Sequence, residues 1–292
     1  MASSLTSPSL VFAAEKAIIA TRRALAKAKM FSNDFSADAV QPGSTMKVPV
    51  FTPSTASAFS VASNNYETVD GSVAYQSVTF ANHVKNTFCF ADTDFNLVNG
   101  RGFWDKAGAA SGSAVAKAIE TAIIGGMETG ATGSATIASI TKANVAALRG
   151  ACATADIDPS RAVLMLGSVP FATLLGLLDA NLYGGPSAIR DGVVEGLYGF
   201  KAVMEAPGGF TSSTTTGYIV QEDALVIAGR TIEVQSPKVY EEVGYTTDED
   251  SGLTLGFRRH GDPATGLNYA TVEALFGFGV VQPAAILKLA AS

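Results

Sequence analysis

The sequence predicts an α+β fold, and three observations carry that reading. Helical and strand-like segments are mixed without the regular strand–helix–strand alternation of a doubly wound sheet. Nearly half of the 292 residues are apolar and only 16% are charged, enough to build a sizeable core. The 29 glycines, with abundant alanine and valine, favour many turns and closely packed small-residue elements. A chain of this length makes one large domain or two ordinary ones. No apolar run reaches the ~18 residues that a membrane helix requires. Cys89 and Cys152 lie in apolar surroundings and read as small buried hydrophobes, not as a disulfide.

Residues 11–31 have helical character: good helix formers without proline or glycine, and apolar residues three to four apart. Residues 1–31 carry Lys16, Arg22, Arg23, Lys27 and Lys29 against Glu15 alone, a net +4. The chain totals −6, so the remainder carries −10. A basic start on an acidic body has three readings. It could be a transit peptide, since MASSLTSPSL before Arg22-Arg23 is serine-rich and acid-poor. It could be a membrane-surface helix, for which Phe12, Ile18, Ile19 and Leu25 make a weak apolar face. Or it is an arm lying on an anionic partner or a neighbouring subunit.

A turn at Pro42-Gly43 opens a short alternating run in which Met46, Val48 and Val50 share a side. A polar Ser/Thr/Ala tract follows, and a second alternating run comes only at residues 77–90. There Val78, Phe80, Val84, Phe88 and Phe90 fall on one face. Roughly twenty intervening residues are far more than the usual hairpin loop of about 2–5. The pattern is an extended two-stranded arm, which one compact subunit would not bury.

The clearest helix spans about 104–124, where Val115, Ala118, Ile119, Ala122 and Ile123 repeat at helical spacing. Gly125-Gly126 is expected to stop it. Its exposed face is bland, so it should pack on more than one side. Residues 129–138 read as a linker by composition. Ile140, Val145, Leu148 and Cys152 then suggest a helix capped by Ser139 or Thr141. Asp158-Pro159 turns into a buried strand at 161–167. Ser168 and Pro170 suit the start of a helix through Leu178. GVVEGLYGF and KAVMEA are β-type runs, and YIVQEDALVIAG is either an amphipathic helix or a strand. From residue 231 the chain is β-rich, with turns at TTDEDSG and HGDPATG.

Reactive groups that an enzyme should bring together are scarce. His83 falls on the polar face of a strand and His260 in a turn. Ser168 lacks the glycine spacing of a nucleophile elbow, and metal-binding pairs and phosphate loops are missing. Asp248-Glu249-Asp250 reads as a solvated charge run because it lacks calcium-loop spacing. Arg258-Arg259 is no nucleic-acid patch. The residues therefore suggest no enzyme, no catalytic or metal site and no cofactor.

What remains is an ordered set of motifs. Gly43-Ser44-Thr45-Met46-Lys47-Val48-Pro49 opens the arm, and its return strand runs into the acidic aromatic stretch FCFADTDFNL. An alanine-rich helix follows, then RAVLMLGSVPFATLL at 161–175 and GLYGFKAVMEAP at 196–207. RHGDPATG at 259–266 and a final Gly–x5–Pro–x–Ala–x3–Leu run over Gly277–Leu289 complete the order. Over nearly its whole length the chain resembles the major capsid (coat) proteins of tailed double-stranded DNA bacteriophages, the Hong Kong 97-type fold.

The resemblance implies an N-terminal arm at 1–41, a long β-hairpin E-loop at 42–92 and a peripheral domain with the spine helix at 93–134. An α/β axial domain at 135–230 follows, with return strands of the peripheral domain and the C-terminus at 231–292. It implies a shell of pentamers and hexamers enclosing the genome, and a place in the virion after assembly in the host cytoplasm. Implied contacts between subunits fall on Met46, Val48, Val50, Val78, Phe80, Val84, Phe88, Arg22 and Arg23. Implied partners are further copies of the chain, a portal protein, a decoration protein, and packaged DNA held without sequence-specific contact. A separate scaffolding protein is also implied, because only about forty residues precede the arm. The covalent crosslink of the type member needs a lysine, an asparagine and a glutamate. Lys85, Asn268 and Glu273 are the right types, but no motif ties them together. Two alternatives stand beside this reading: an encapsulin-type bacterial nanocompartment, and an imported soluble enzyme or binding module with a targeting peptide at 1–30.

Overall fold

The computed structural model describes residues 8–25, 32–34, 45–51, 73–91, 100–178, 193–206, 209–210, 212, 214–232, 239–248 and 252–291. The chain opens with helix α1 (Pro8–Leu25) and the short strand β1 (Ser32–Asp34). A ribbon follows, β2 (Thr45–Phe51) and β3 (Val73–Thr79), and then the ten-residue β4 (Asn82–Ala91). Helix α2 (Gly100–Gly130) is the longest element, at 31 residues. The middle of the chain comprises β5 (Gly133–Ile137), α3 (Lys142–Thr154), β6 (Ala162–Leu166), α4 (Ser168–Leu177), β7 (Val193–Glu195) and β8 (Ala202–Glu205). It ends with β9 (Thr215–Gln221), β10 (Leu225–Arg230), β11 (Glu242–Thr247), β12 (Thr254–Asp262), β13 (Leu267–Val280) and β14 (Ile286–Ala291).

These strands form two six-stranded sheets and the separate ribbon β2–β3. The first sheet is built around β13. Leu275 and Phe276 pair with both β10 and β4, and 267–274 pair with both β12 and β4. Thus β12 and β10 follow one another along one side of β13, and β4 takes the other. The second sheet runs β5-β14-β9-β6-β8-β7. Helix α2 serves both sheets: Ile119, Ile123 and Met127, four residues apart, share one core with Met165, Tyr218 and Val220 of the second sheet and Phe257, Val272 and Phe276 of the first. Helices α3 and α4 cover the opposite face of the second sheet through Val145, Leu148, Cys152, Phe171 and Leu174. All five residues of β6 are buried, as its unbroken apolar run requires.

Several sequence expectations are corrected. Gly125-Gly126 does not stop α2, which continues to Gly130. The glycines there allow close packing: a side chain on Gly126 would enter the ring of Phe278, and one on Gly130 would lie 2.5 Å from Val280 Cγ2. The expected linker at 129–138 contains β5, paired in parallel with β14. The N-cap of α3 is Thr141, whose Oγ1 accepts from the Asn144 amide at 3.1 Å. Ser168 is the first residue of α4 rather than its cap, a place taken by Gly167. YIVQEDALVIAG is neither one helix nor one strand but the end of β9, a turn and β10.

That turn carries the chain between sheets, so the expected division at 230 does not follow the strands. β10 already belongs to the first sheet, and β14 returns to the second. The two crossings lie side by side: the amides of Val281 and Gln282 both donate to the carbonyl of buried Ala224, at 2.9 and 3.3 Å. One carbonyl thus satisfies the amides of both residues that lead out of β13 at the sheet boundary.

Candidate assembly surfaces

The ribbon is fully in register, from Thr45 opposite Thr79 to Phe51 opposite Val73. Facing residues of an antiparallel pair share a face. One face therefore carries Met46, Val48, Val50, Ala74, Gln76 and Val78; the other carries Lys47, Pro49, Val73, Tyr75 and Ser77. The first face roots the ribbon on its own chain: Val48 and Val78 are buried with Val226 and Val281, and Met46 and Val50 pack beside them. Gly277 and Gly279 of β13 make room for this crossing. A Cβ at either would lie 2.8 Å from the Thr79 carbonyl or 2.9 Å from Val78 Cγ2.

This reverses the expected use of the ribbon. Met46, Val48, Val50 and Val78 are intramolecular anchors, because the strand register turns their side toward β10 and β13. The exposed apolar surface is on the other side, where Tyr75 is 67% and Val73 48% exposed. Sequence reasoning missed Tyr75, Val73 and Pro49. The signal was present, since Pro49 and Tyr75 alternate against the chosen face, but it needed the pairing of two strands more than twenty residues apart. Residues 52–72, the polar tract expected at the arm's tip, lie outside the described residues.

Phe80 is half-buried just before β4. Val84 packs against the main core, and Phe88 meets Trp104 and Phe103 edge-on at centroid distances of 6.0 and 6.1 Å. Val84 and Phe88, expected at contacts between subunits, thus make contacts within the chain. β4 belongs to the first sheet rather than to the arm, and its apolar face lies on α2.

Helix α1 is docked by close backbone approach. A Cβ on Gly108 would sit 2.7 Å from the Cα of Ala13, and one on Gly112 would sit 2.5 Å from the carbonyl oxygen of Ala17. Glycines four apart on α2 thus receive alanines four apart on α1. Thr21 Oγ1 donates to the Ala17 carbonyl at 2.8 Å and approaches that of Gly112 at 3.4 Å. Arg22 donates twice to Asp248, from Nε at 3.1 Å and from a terminal nitrogen at 2.5 Å. Asp248 is 2% exposed, so the predicted solvated acidic run is wrong at this residue: it is a buried carboxylate held by a guanidinium. Arg22 is therefore committed within its own chain; the side chain of Arg23 lies outside the described residues.

On the outward face of the first sheet, buried Glu273 accepts from Arg258 Nε and lies 3.0 Å from His83 Nε2. Lys85 stands opposite Glu273 across the β4–β13 pair, while Asn268, five residues away on the same strand, falls on the other face. Arg258 also donates to the Tyr240 hydroxyl at 3.2 Å, and His260 stacks on Tyr269 at 5.0 Å. An open cleft of about 450 Å³ lies among Gly125, Glu128, Thr129, Ser212, Tyr218 and Lys288; it holds no nucleophile–base pair. Burial raises the Tyr218 hydroxyl, assisted by the Glu128 charge. Among the described residues no three metal-ligating side chains converge. No described helix is long and apolar enough to cross a membrane. Cys89 is exposed on β4, and Cys152 is buried in α3, where desolvation pushes its thiol up to about 11.

No protein-family model matches this chain, and no curated protein sequence does. Solved structures do. A chain from Gordonia phage Cozz superimposes with a TM-score of 0.59 at 15% identity, covering 92% of this chain and 86% of its own. One from the capsid structure of the cyanophage P-SCSP1u gives 0.55 at 14%, covering 89% and 86%. The virus-like particle from Pyrococcus furiosus gives 0.56 at 11%, covering 95% and 97%.

This chain has the Hong Kong 97-type capsid fold.

Within the capsid fold, α2 is the spine helix, the β2–β3 ribbon is the root of the E-loop, and the sheet around β6 and β9 is the core of the axial domain. At these identities the likeness extends to the fold and not to residue roles. The assembly surfaces must therefore be read from this chain's own exposed groups.

Proposed function

We propose that this protein is the subunit of a self-assembling icosahedral shell, the capsid that encloses the double-stranded DNA of a tailed phage. The observation that carries this reading is the ribbon: one face is seated on its own chain, and the opposite face leaves Tyr75 and Val73 in solvent. Large apolar groups on a projecting, paired element suit burial against another copy. The matched chains include one described as a phage capsid. Pentamers and hexamers of one chain would then be held by buried area, so stability belongs more to the shell than to the subunit. The function is structural rather than enzymatic, and the site of action is the virion. The fold implies a portal, a separate scaffolding protein and a decoration protein as partners. Their contacts would lie outside the anchors described above. A body carrying −10 outside residues 1–31 would repel packaged DNA rather than grip it, which keeps the genome free of sequence-specific contact.

A bacterial nanocompartment shell is the second reading, which the matched virus-like particle from Pyrococcus furiosus does not favour over the phage shell; a neighbouring cargo-enzyme gene, in place of portal and terminase genes, would select it. The targeting-peptide alternative is disfavoured, because Ala13, Ala14, Ala17 and Ile18 of α1 are buried in the body and cleavage would strip part of the core.

Electron microscopy of the protein expressed alone, and with its genomic neighbours, tests the proposal. Uniform hollow particles are expected in at least one preparation. Deleting residues 53–71, or making Tyr75→Ser, should leave a folded subunit and lower particle yield at least tenfold. Normal particles from both variants would refute the role given to the ribbon. Monomers alone in every preparation would refute the shell.

A further inference from the structure

We propose that the free edge of β4 pairs with the same edge of a second copy, as an antiparallel two-fold contact centred on Asn86. β4 pairs with β13 over ten residues without a bulge, and residues 82–89 provide the edge proposed for pairing. Among the described residues no strand lies along its other side. Among the described residues this eight-residue stretch is the longest such edge, ahead of β2 and β3 with seven residues each, β11 with six, β5 with five, and β1 and β7 with three each. Natural sheets blunt long edges with proline, bulges or charge, and 82–89 carries only Lys85 in that role. Cross-strand bonds hold this strand regular, from Thr87 to Thr271 at 2.8 Å and from His83 to Glu273 at 3.0 Å.

The shell reading supplies the occupant, a second copy, and parity and charge narrow the register. A two-fold axis makes the paired strands antiparallel and the contact isologous. Only pairs of equal parity place both apolar faces on one side. A centre on Lys85 would set Lys85 against its own copy, a like-charge pair that destabilises a ladder. A centre on Asn86 sets Lys85 opposite Thr87, Val84 opposite Phe88 and His83 opposite Cys89. The first sheet of one copy then continues into that of the next, the strand-addition mode that gives affinity through the main chain. Such an edge contact is small and weak alone, so it would act with other contacts. It deepens the shell reading by naming a copy-to-copy surface, but it does not require the shell to close.

Cysteine trapping tests it, because Cys89 is already exposed on this face. In the proposed register the two Cys89 residues lie six residues apart, about 20 Å, and cannot join. In His83→Cys, each new thiol faces the other copy's Cys89 at about 5 Å between Cβ atoms. Under mild oxidation, non-reducing electrophoresis should show at least ten times more dimer for His83→Cys than for the unsubstituted protein or for Thr265→Cys in the β12–β13 turn. Soluble and particulate fractions are both assayed. Dimer in soluble protein without particles would support the edge and refute the shell. Dimer in neither fraction, or equal dimer from Thr265→Cys, would overturn the proposal. Hydrogen exchange on the unsubstituted protein gives a readout free of mutation: alternate amides of 82–89 should slow at least tenfold on association, and unchanged exchange there would also overturn it.

Discussion

Methyl groups added at two kinds of glycine on the spine helix should move stability in opposite directions. Gly125→Ala meets open space, as does Gly102→Ala. Each should stabilise by roughly 0.5–1 kcal/mol, from helix propensity and the smaller entropy of the unfolded chain. Gly108→Ala and Gly112→Ala gain the same term but drive a methyl into the backbone of α1, 2.7 Å from Ala13 Cα and 2.5 Å from the Ala17 oxygen. Backbone cannot rotate aside, so the helices must separate by close to 1 Å. That separation loosens the seats of Ala13, Ala14, Ala17 and Ile18 and stretches the bond from Thr21 to Gly112. Full release of α1 would forfeit about 0.8 kcal/mol for each alanine methyl and about 2 for the isoleucine, on the order of 4 kcal/mol. Partial release should leave a net loss of roughly 1–3 kcal/mol after the propensity gain. Melting of the unassembled protein reads the difference, at about 2–4 °C per kcal/mol for a chain near this size. Limited trypsin adds a local readout, with faster cleavage at Lys16 and Arg22 in Gly108→Ala and Gly112→Ala. If Gly108→Ala and Gly125→Ala shift Tm in the same direction, the close-approach argument is wrong.

Arg22→Ala removes a guanidinium from buried Asp248, and a loss of about 1–3 kcal/mol is expected, at the lower end because Arg22 is partly exposed. Adding Asp248→Asn should recover part of that loss in denaturant unfolding; no recovery would mean that the pair is not coupled. Of the two thiols, Cys89 should react with a disulfide reagent within minutes at pH 8, and Cys152 only on unfolding, because burial lifts Cys152 to about 11 and suppresses the thiolate. Two fast thiols in the native subunit would contradict the packing of α3. Bonds from the Ala264 amide and the Thr265 hydroxyl hold Asp262 below the usual carboxylate range. A depressed carboxylate contributes stability that is present above its unfolded pKa near 3.9 and lost as pH falls through the lower folded value. The gap in Tm between the unsubstituted protein and Asp262→Asn should therefore be largest above pH 5 and close as pH falls toward 2; a gap independent of pH would refute that account.

On the proposed shell reading the subunit must be stable before its final contacts exist, and this fold divides the work. Apolar residues whose partners are close in space within one chain are spent on the body: Val48 and Val78 at the ribbon root, Val84 and Phe88 on the spine helix, and the alanine face of α1. Those left over, Tyr75 and Val73, sit where the ribbon leaves the body. Burying some of the ribbon at its root fixes its direction, so a neighbouring copy meets a preset element and loses less entropy on binding.

The mixed helix–strand composition, the spine helix, the buried strand at 162–166 and the strand character of 45–51 and 82–91 were all legible in the sequence. Each rests on local periodicity or on turn chemistry that acts within a few residues. The order of motifs along the chain carried the fold itself. Pairing and packing between distant segments decided the rest. Gly126 looks like part of a helix stop until Phe278 is seen to need the space beside it, as Val280 needs that beside Gly130. Asp248 looks solvated until Arg22, 226 residues away, covers it. The ribbon's outward face depended on the register of two strands and on the glycines of β13 beneath them. Apolar periodicity states that a face is buried; only tertiary structure decides whether the same chain or another copy buries it.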